Sequence, residues 1–213
     1  MMRSGFSFYL IFLCSALGLQ ASGESTTVSF QQGDLRRDGV LISSGYDTGC
    51  ATLSSSAPDT IQTSTSMYVG SSLSGGTPRY YRGLFAFDLS YIETLVGGNP
   101  YTIDSIALNL TVATGNSSLP STVQFRAFAT DAFNESTATW NNPGAGHVAG
   151  GNIGNPFASR NVTSAMVSTA GSQVVFNATV PGNMSAAITN ALAGDKMLYI
   201  LVKQDVENGL ASN

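Results

Sequence analysis

The stretch YYRGLFAFDLS, residues 80–90, predicts the fold class of this chain. Side chains alternate between the two faces of a β-strand. In this stretch Phe85, Phe87 and Leu89 fall on one face, while Leu84 and Ala86 fall on the other. Both faces are apolar, which is typical of a strand that is covered on both sides. We therefore expect a layered β-structure around this segment.

Six further segments show strand signals between clusters of turn-forming residues. They are STTVSFQQG (25–33), TSMYVGSS (65–72), IDSIALNLTV (103–112), TVQFRAFAT (122–130), SQVVFNATV (172–180) and MLYILVKQD (197–205). The last segment is apolar on both faces, which indicates a central strand. Residues 141–160 contain several glycines and are predicted to form a long loop.

Helical spacing of apolar residues is found over 183–195, NMSAAITNALAGD. Asn183 is the candidate cap at the start of this helix, and Gly194 stands where a left-handed residue would end it. Many short strands with one short helix predict an all-β fold. The expected architecture is a β-sandwich of jelly-roll type.

The composition excludes several classes of function. Charged residues make up 10% of the chain and the net charge is −4. The two lysines and the absence of a basic run argue against a nucleic-acid partner, since phosphate binding needs clustered cations. A basic amphipathic helix for membrane binding is also lacking. The neutral polar residues and turn formers are typical of a secreted all-β protein.

The N-terminus has the pattern of a signal peptide. Arg3 precedes the apolar run FSFYLIFLCSALGL (6–19), and small residues follow in QASG. We therefore predict that residues 1–23 are removed and that 24–213 form a single secreted domain without a membrane span. Cys50 is then the remaining cysteine. A buried thiol is the favoured interpretation, and an intermolecular disulfide is the alternative.

Taken in order, the motifs of residues 26–213 resemble those of the DNRLRE domain, a secreted β-sandwich related to alginate-binding carbohydrate-binding modules. The resemblance rests mainly on RGLFAFDLSYI, FNESTATWNNP, VPGNMSAAITNALAGD and MLYILVKQD. It implies a further strand after the serine-rich turn, so we expect that a terminal strand is missing and that its neighbour exposes a sheet edge.

Structural roles are predicted for three residues near these motifs. Trp140 is expected to pack into the core at a sheet corner, with a sugar-stacking platform as the alternative. Glu135 is expected to accept backbone N–H groups or to pair with an arginine. Asp88 is expected to satisfy backbone groups at a strand end. His147 lies in the glycine-rich loop without an identifiable orienting partner and is interpreted as an ordinary loop residue.

Catalysis is not predicted. The carboxylates do not fall in a glycosidase pattern, and no nucleophile, phosphate-binding or dinucleotide-binding motif occurs. Calcium is the one ion considered, because secreted β-sandwiches often hold it with oxygen ligands. Asp205 and Glu207, which would share a face if both lay on one strand, are its candidate ligands.

Binding of an acidic polysaccharide is the preferred function. Arginine recognises a carboxylate through two parallel N–H groups. Arg82 and Arg126, at outward or end positions of neighbouring strand candidates, are the main candidates. Tyr80, Tyr81 and Lys203 complete the predicted site, while scattered surface charge is the alternative reading of its three cations. The sequence thus predicts a non-catalytic extracellular carbohydrate-binding module. The other candidate is a structural or adhesive cell-surface module.

Overall fold

The computed structural model describes residues 6–16, 25–30, 48–62, 68–74, 77–97, 101–112, 122–134, 136–144, 149–151, 155–179 and 183–207. These residues form ten strands and three helices. In chain order the elements are β1 (Phe6–Ala16), β2 (Ser25–Phe30), β3 (Thr48–Ser54), β4 (Gly70–Ser74), β5 (Thr77–Asp88), α1 (Ser90–Val96), β6 (Tyr101–Val112), β7 (Val123–Ala129), β8 (Pro156–Val162), α2 (Ser164–Val167), β9 (Gln173–Thr179), α3 (Asn183–Ala193) and β10 (Met197–Gln204).

The strands form two antiparallel sheets. The four-stranded sheet has the order β2-β1-β6-β9, and the six-stranded sheet has the order β3-β5-β10-β7-β8 with β4 also paired to β5. β10 therefore lies between β5 and β7, which confirms that it is a central strand. The mostly β fold predicted from the sequence is also confirmed.

A main core fills the space between the two sheets. Buried residues of both sheets contribute to it, and α1 and α3 add Ile92, Met184 and Ile188. Its largest fully buried side chains include Phe85, Phe87, Leu89, Ile106, Leu108 and Phe176. Burying one such side chain contributes about 1.5–3 kcal/mol, so this shared core holds the sheets face to face.

A second core covers part of the other face of the six-stranded sheet, which we call the outer face. It consists of Ala51, Leu53, Leu84, Phe128, Ala138 and Leu201, with Phe133 and Trp140 packed against it. Phe133, Ala138 and Trp140 supply the side chains that lie over the sheet. β5 and β10 are therefore covered on both faces, as the alternation in residues 80–90 and 197–205 predicts.

Several predicted boundaries are wrong. Residues 156–160 belong to β8, so the predicted loop over 141–160 is too long. The exposed run at positions 159–161 of this edge strand hides the usual alternation. α1 and α2 occur in addition to the one predicted helix, and their seven and four residues are too short to show a clear helical period.

The left-handed residue after α3 is Lys196, with φ 67, and not Gly194 as predicted. The N–H of Gly194 still donates to the carbonyl oxygen of Asn190 at 2.9 Å, so the helical bonding continues through it. The N–H of Lys196 then donates to the carbonyl oxygen of Ala191 at 2.8 Å. The chain thus turns two residues later than the glycine suggests. The side chain of Asn183, the predicted cap, lies outside the described part of the chain.

The apolar run that the sequence assigns to a signal peptide forms β1. Leu10 pairs with Phe30 of β2 on one side and with Leu108 of β6 on the other. Removal of residues 1–23 stays a prediction. Among the described residues, no helix has the length and apolarity that a membrane crossing requires.

We predict that shortening a buried side chain on the outer face destabilises the protein as much as shortening one in the main core. Leu84 in the second core and Leu108 in the main core are both fully buried. Leu84→Ala and Leu108→Ala should each lower the free energy of unfolding by about 2–5 kcal/mol, since each leaves a cavity. Ile61→Ala is the control at an exposed position. Denaturant titration measures all three, and a Leu84→Ala cost no greater than that of Ile61→Ala would contradict a covered outer face.

Candidate functional site

A polar strip lies on the outer face beside the second core. It consists of Gln124 and Arg126 on β7 and Ser159 and Asn161 on β8. The pairings Arg126–Ser159 and Gln124–Asn161 place these side chains next to one another. The amide of Gln124 donates to Oδ1 of Asn161 at 3.3 Å. Ser159 and Asn161 are exposed, and the strip is therefore accessible to a ligand.

Three cations stand in one row across this face, and we call them the cation row: Arg82, Lys203 and Arg126. Lys203 pairs directly with Arg126, and Val202 pairs with Gly83. The register of that second pairing brings Lys203 opposite Arg82 on its other side. Neighbouring strands are about 4.8 Å apart. Like charges directly opposite each other destabilise a sheet, so the row needs counter-charges.

Two carboxylates from the segment that follows β10 supply these counter-charges. Glu207 accepts from Nε of Arg82 at 3.1 Å and from Nη2 at 2.6 Å. Nζ of Lys203 lies 3.4 Å from the same Oε2 atom of Glu207. Asp205 accepts from Arg126, with Nε to Oδ1 at 2.8 Å and Nη2 to Oδ2 at 3.0 Å. Each arginine is therefore held by a carboxylate in a two-pronged (bidentate) geometry, with two N–H groups on two carboxylate oxygens.

The Arg82 end of the row is buried. The side chains of Arg82 and Glu207 are 9% and 6% exposed. Nη1 of Arg82 donates to the carbonyl oxygen of Gly150 at 2.7 Å, and its guanidinium carbon lies 4.7 Å from the ring centroid of Trp140. A buried charge is tolerated only when it is paired and hydrogen-bonded. The position of Arg82 is thus enclosed rather than outward, and β10 separates its strand from that of Arg126.

Glycine is required at position 150 by this close packing. Gly150 has φ +80, and a Cβ atom there would lie 2.5 Å from Nη1 of Arg82 and 3.1 Å from the Trp140 ring. Its N–H donates to the carbonyl oxygen of Trp140 at 2.6 Å. The segment 149–151 can therefore close over Arg82 only with a residue that lacks a side chain.

The Arg126 end of the row is open. The side chains of Arg126 and Asp205 are 37% and 26% exposed. Nη2 of Arg126 also lies 3.4 Å from Oε1 of Gln124 in the polar strip. An exposed ion pair of this kind contributes about 0–1 kcal/mol. Arg126 can therefore exchange its partner at little cost.

Trp140 packs on the second core and against Arg82, and it is half-buried. The described residues around it form turns and bends and belong to no strand. The backbone N–H of Asn141, the next residue, donates to the carbonyl oxygen of Pro58 at 2.9 Å, which ties this segment to the turn after β3. Glu135 and His147 lie outside the described residues.

The two predicted tyrosine platforms differ in position. Tyr80 is 3% exposed, so its ring is enclosed in this structure. Burial, and secondarily the charge of Glu207, raise the pKa of its phenol, so Tyr80 stays neutral at physiological pH. Tyr81 is half-buried and lies against Tyr68, with 5.9 Å between the ring centroids.

Asp88 lies at the end of β5, where the chain enters α1. Its Oδ1 atom accepts the backbone N–H of Ser90 at 2.9 Å and also the hydroxyl of Ser90. A carboxylate placed before a helix satisfies N–H groups that have no partner within the helix.

The donor set at Asp205 and Glu207 does not fit a calcium ion. All four carboxylate oxygens face Arg82, Arg126 or Lys203, and a divalent cation would meet three positive charges there. Among the described residues, no group of three or more His, Cys, Asp or Glu residues is placed to hold a metal. The two acids act as counter-charges for the cation row instead.

The residues of the cation row are predicted from the sequence as site residues, but their arrangement is not. The sequence predicts Arg82, Lys203 and Arg126 as ligand contacts and the two acids as metal ligands. Their pairing depends on β10 lying between β5 and β7, which no local pattern reveals. The one signal in the sequence for this arrangement is strand alternation, which places Lys203 on the same face of β10 as Leu201.

The sequence matches no protein-family model and no curated protein. The resemblance to the DNRLRE domain therefore stays a prediction that rests on the motifs themselves.

We predict that Glu207→Gln lowers the free energy of unfolding by about 3–5 kcal/mol, because it leaves the charge of Arg82 buried without a counter-charge. Asp205→Asn is the matched control, since it removes the same charge from the exposed pair and should cost less than about 1 kcal/mol. Denaturant titration of both variants measures the difference. Equal costs would show that the two ends of the row are not buried to different extents.

Proposed function

We propose that the chain is a secreted, jelly-roll-type β-sandwich of the DNRLRE kind that binds acidic polysaccharide without catalysing a reaction. The binding surface is the polar strip, and Arg126 is the residue that contacts a ligand carboxylate. Of the other predicted contacts, Arg82 and Tyr80 are enclosed, and Lys203 serves mainly to balance Glu207.

The observation that carries this proposal is the partial exposure of an arginine already bound to a carboxylate in a two-pronged geometry. Asp205 holds the guanidinium of Arg126 with one acid oxygen on Nε and one on Nη2, at 2.8 and 3.0 Å. A uronate carboxylate has the same planar shape and charge as the Asp205 side chain. It can therefore bind Arg126 in the same way.

The neighbours of Arg126 suit a sugar chain. Gln124 and Asn161 offer amide groups on two adjacent strands, and such groups can exchange hydrogen bonds with hydroxyls. Ser159 adds a hydroxyl directly opposite Arg126. Asn161 is also the first residue of an N-x-[ST] sequon. A glycan attached there would cover the strip, so binding is best measured on unglycosylated protein.

A structural or adhesive module is the second candidate, and the buried end of the cation row favours it. Arg82 donates to Glu207 and Gly150 and lies under Trp140, all within the chain itself. An arginine used in this way stabilises the fold and is not available to a ligand. On this reading the whole cation row serves stability.

We expect the purified protein to be retarded in native gels that contain alginate or pectin and not in gels with a neutral glucan. Retardation should persist with chelator, because the acids of the row do not fit calcium. Arg126→Ala should lose most of the retardation, since it removes the two-pronged contact. Arg126→Lys should lose part of it, because lysine keeps the charge but not the fork.

Arg160→Ala is the matched control for charge. Arg160 is exposed on β8, and its pairing with Phe125 places it on the face opposite the polar strip. The variant should behave like the unmodified protein. Equal losses in Arg126→Ala and Arg160→Ala would indicate diffuse charge attraction, and no retardation of the folded protein in any gel would favour the structural candidate.

A further inference from the structure

We propose that Asp205 is a built-in competitor of the acidic ligand, so that the segment 205–207 restrains binding at Arg126. This inference rests on the proposed function and adds a regulatory feature to the same site. The carboxylate of Asp205 occupies the position on Arg126 that a ligand carboxylate would take. A ligand must therefore displace it.

The backbone holds Asp205 in this position. Its N–H donates to the carbonyl oxygen of Gln124 at 2.8 Å, which ties residue 205 to β7 beside Arg126. Both of its side-chain oxygens accept from the guanidinium. The competitor is thus bonded to the strand that carries its target.

Glu207 anchors the same segment from the other side. Its side chain is 6% exposed and accepts two N–H groups of Arg82. With residue 207 fixed in the covered part of the sheet, Asp205 cannot move far from Arg126 when the pair opens. A tethered group competes at an effective concentration that is typically in the millimolar range or above.

A ligand carboxylate can replace the carboxylate of the chain only at the Arg126 end of the cation row, because that end is exposed. The Arg126–Asp205 pair is reached by water, whereas the Arg82–Glu207 pair is enclosed by Gly150 and Trp140. An approaching polyanion is also repelled by the charge of Asp205. Both effects weaken binding, and both vanish when the carboxylate is neutralised.

The test compares Asp205→Asn with the unmodified protein for binding to alginate in affinity gels. Asparagine keeps the shape of the side chain and one acceptor for Arg126, but it loses the charge. We expect the apparent affinity to rise about twofold to fivefold, which corresponds to an exposed ion pair of up to about 1 kcal/mol. Asp205→Glu, which restores the charge, should bring the affinity back towards that of the unmodified protein.

Glu93→Gln is the matched control. It removes one negative charge from the exposed pair of Glu93 with Lys196, and Glu93 lies in α1, beyond the C-terminal end of β5. Its affinity should stay within about twofold of the unmodified protein if charge acts locally.

The outcomes separate this inference from the function on which it rests. If the unmodified protein binds and Asp205→Asn binds equally well or more weakly, the proposal that Asp205 competes with the ligand is overturned. The proposed polysaccharide site is kept. In that case Asp205 only orients Arg126. An equal gain in Glu93→Gln also overturns it, in favour of net charge. Binding by neither the unmodified protein nor Asp205→Asn overturns both proposals.

Discussion

The covering of β5 and β10 on both faces is the constraint on which the rest of this structure depends. A charge on such strands cannot be solvated by water, so Arg82 and Lys203 need a counter-charge from the chain itself. Glu207 supplies it, and Trp140 with the segment 149–151 closes over the pair. At Arg126, which is nearer to the edge of the sheet, no such cover from the described part of the chain encloses the ion pair, and its side chains are partly exposed. The same kind of ion pair then changes from a structural contact into an exchangeable one.

Much of the fold could be predicted because the longer strands carry a regular alternation. β5, β6, β9 and β10 each bury one or both faces, and their apolar residues recur at every second position. β8 was missed because an edge strand has fewer buried positions and its alternation is weak. The order of the strands could not be predicted from the sequence, because it depends on contacts between segments far apart in the chain.

The candidate site was predictable in its chemistry but not in its geometry. Arginine is predicted to bind a carboxylate of a ligand, whereas the carboxylates that Arg82 and Arg126 contact in the structure come from the same chain. Asp205 and Glu207 lie two residues apart, which suggested a shared metal ion. Instead they separate, one to Arg126 and one to Arg82, because two arginines stand on either side of Lys203. Only the cross-strand register decides between these alternatives.

The position of β1 bears on the predicted removal of the first 23 residues. β1 is antiparallel to both β2 and β6, so these two strands run in the same direction. If the first 23 residues are cleaved, β2 cannot take the place of β1 without turning an antiparallel ladder into a parallel one. A chain that folds before cleavage would enclose its leader in the sheet and protect it from the peptidase. A chain that is cleaved first would present the twelve residues of β6 as a template for another antiparallel strand.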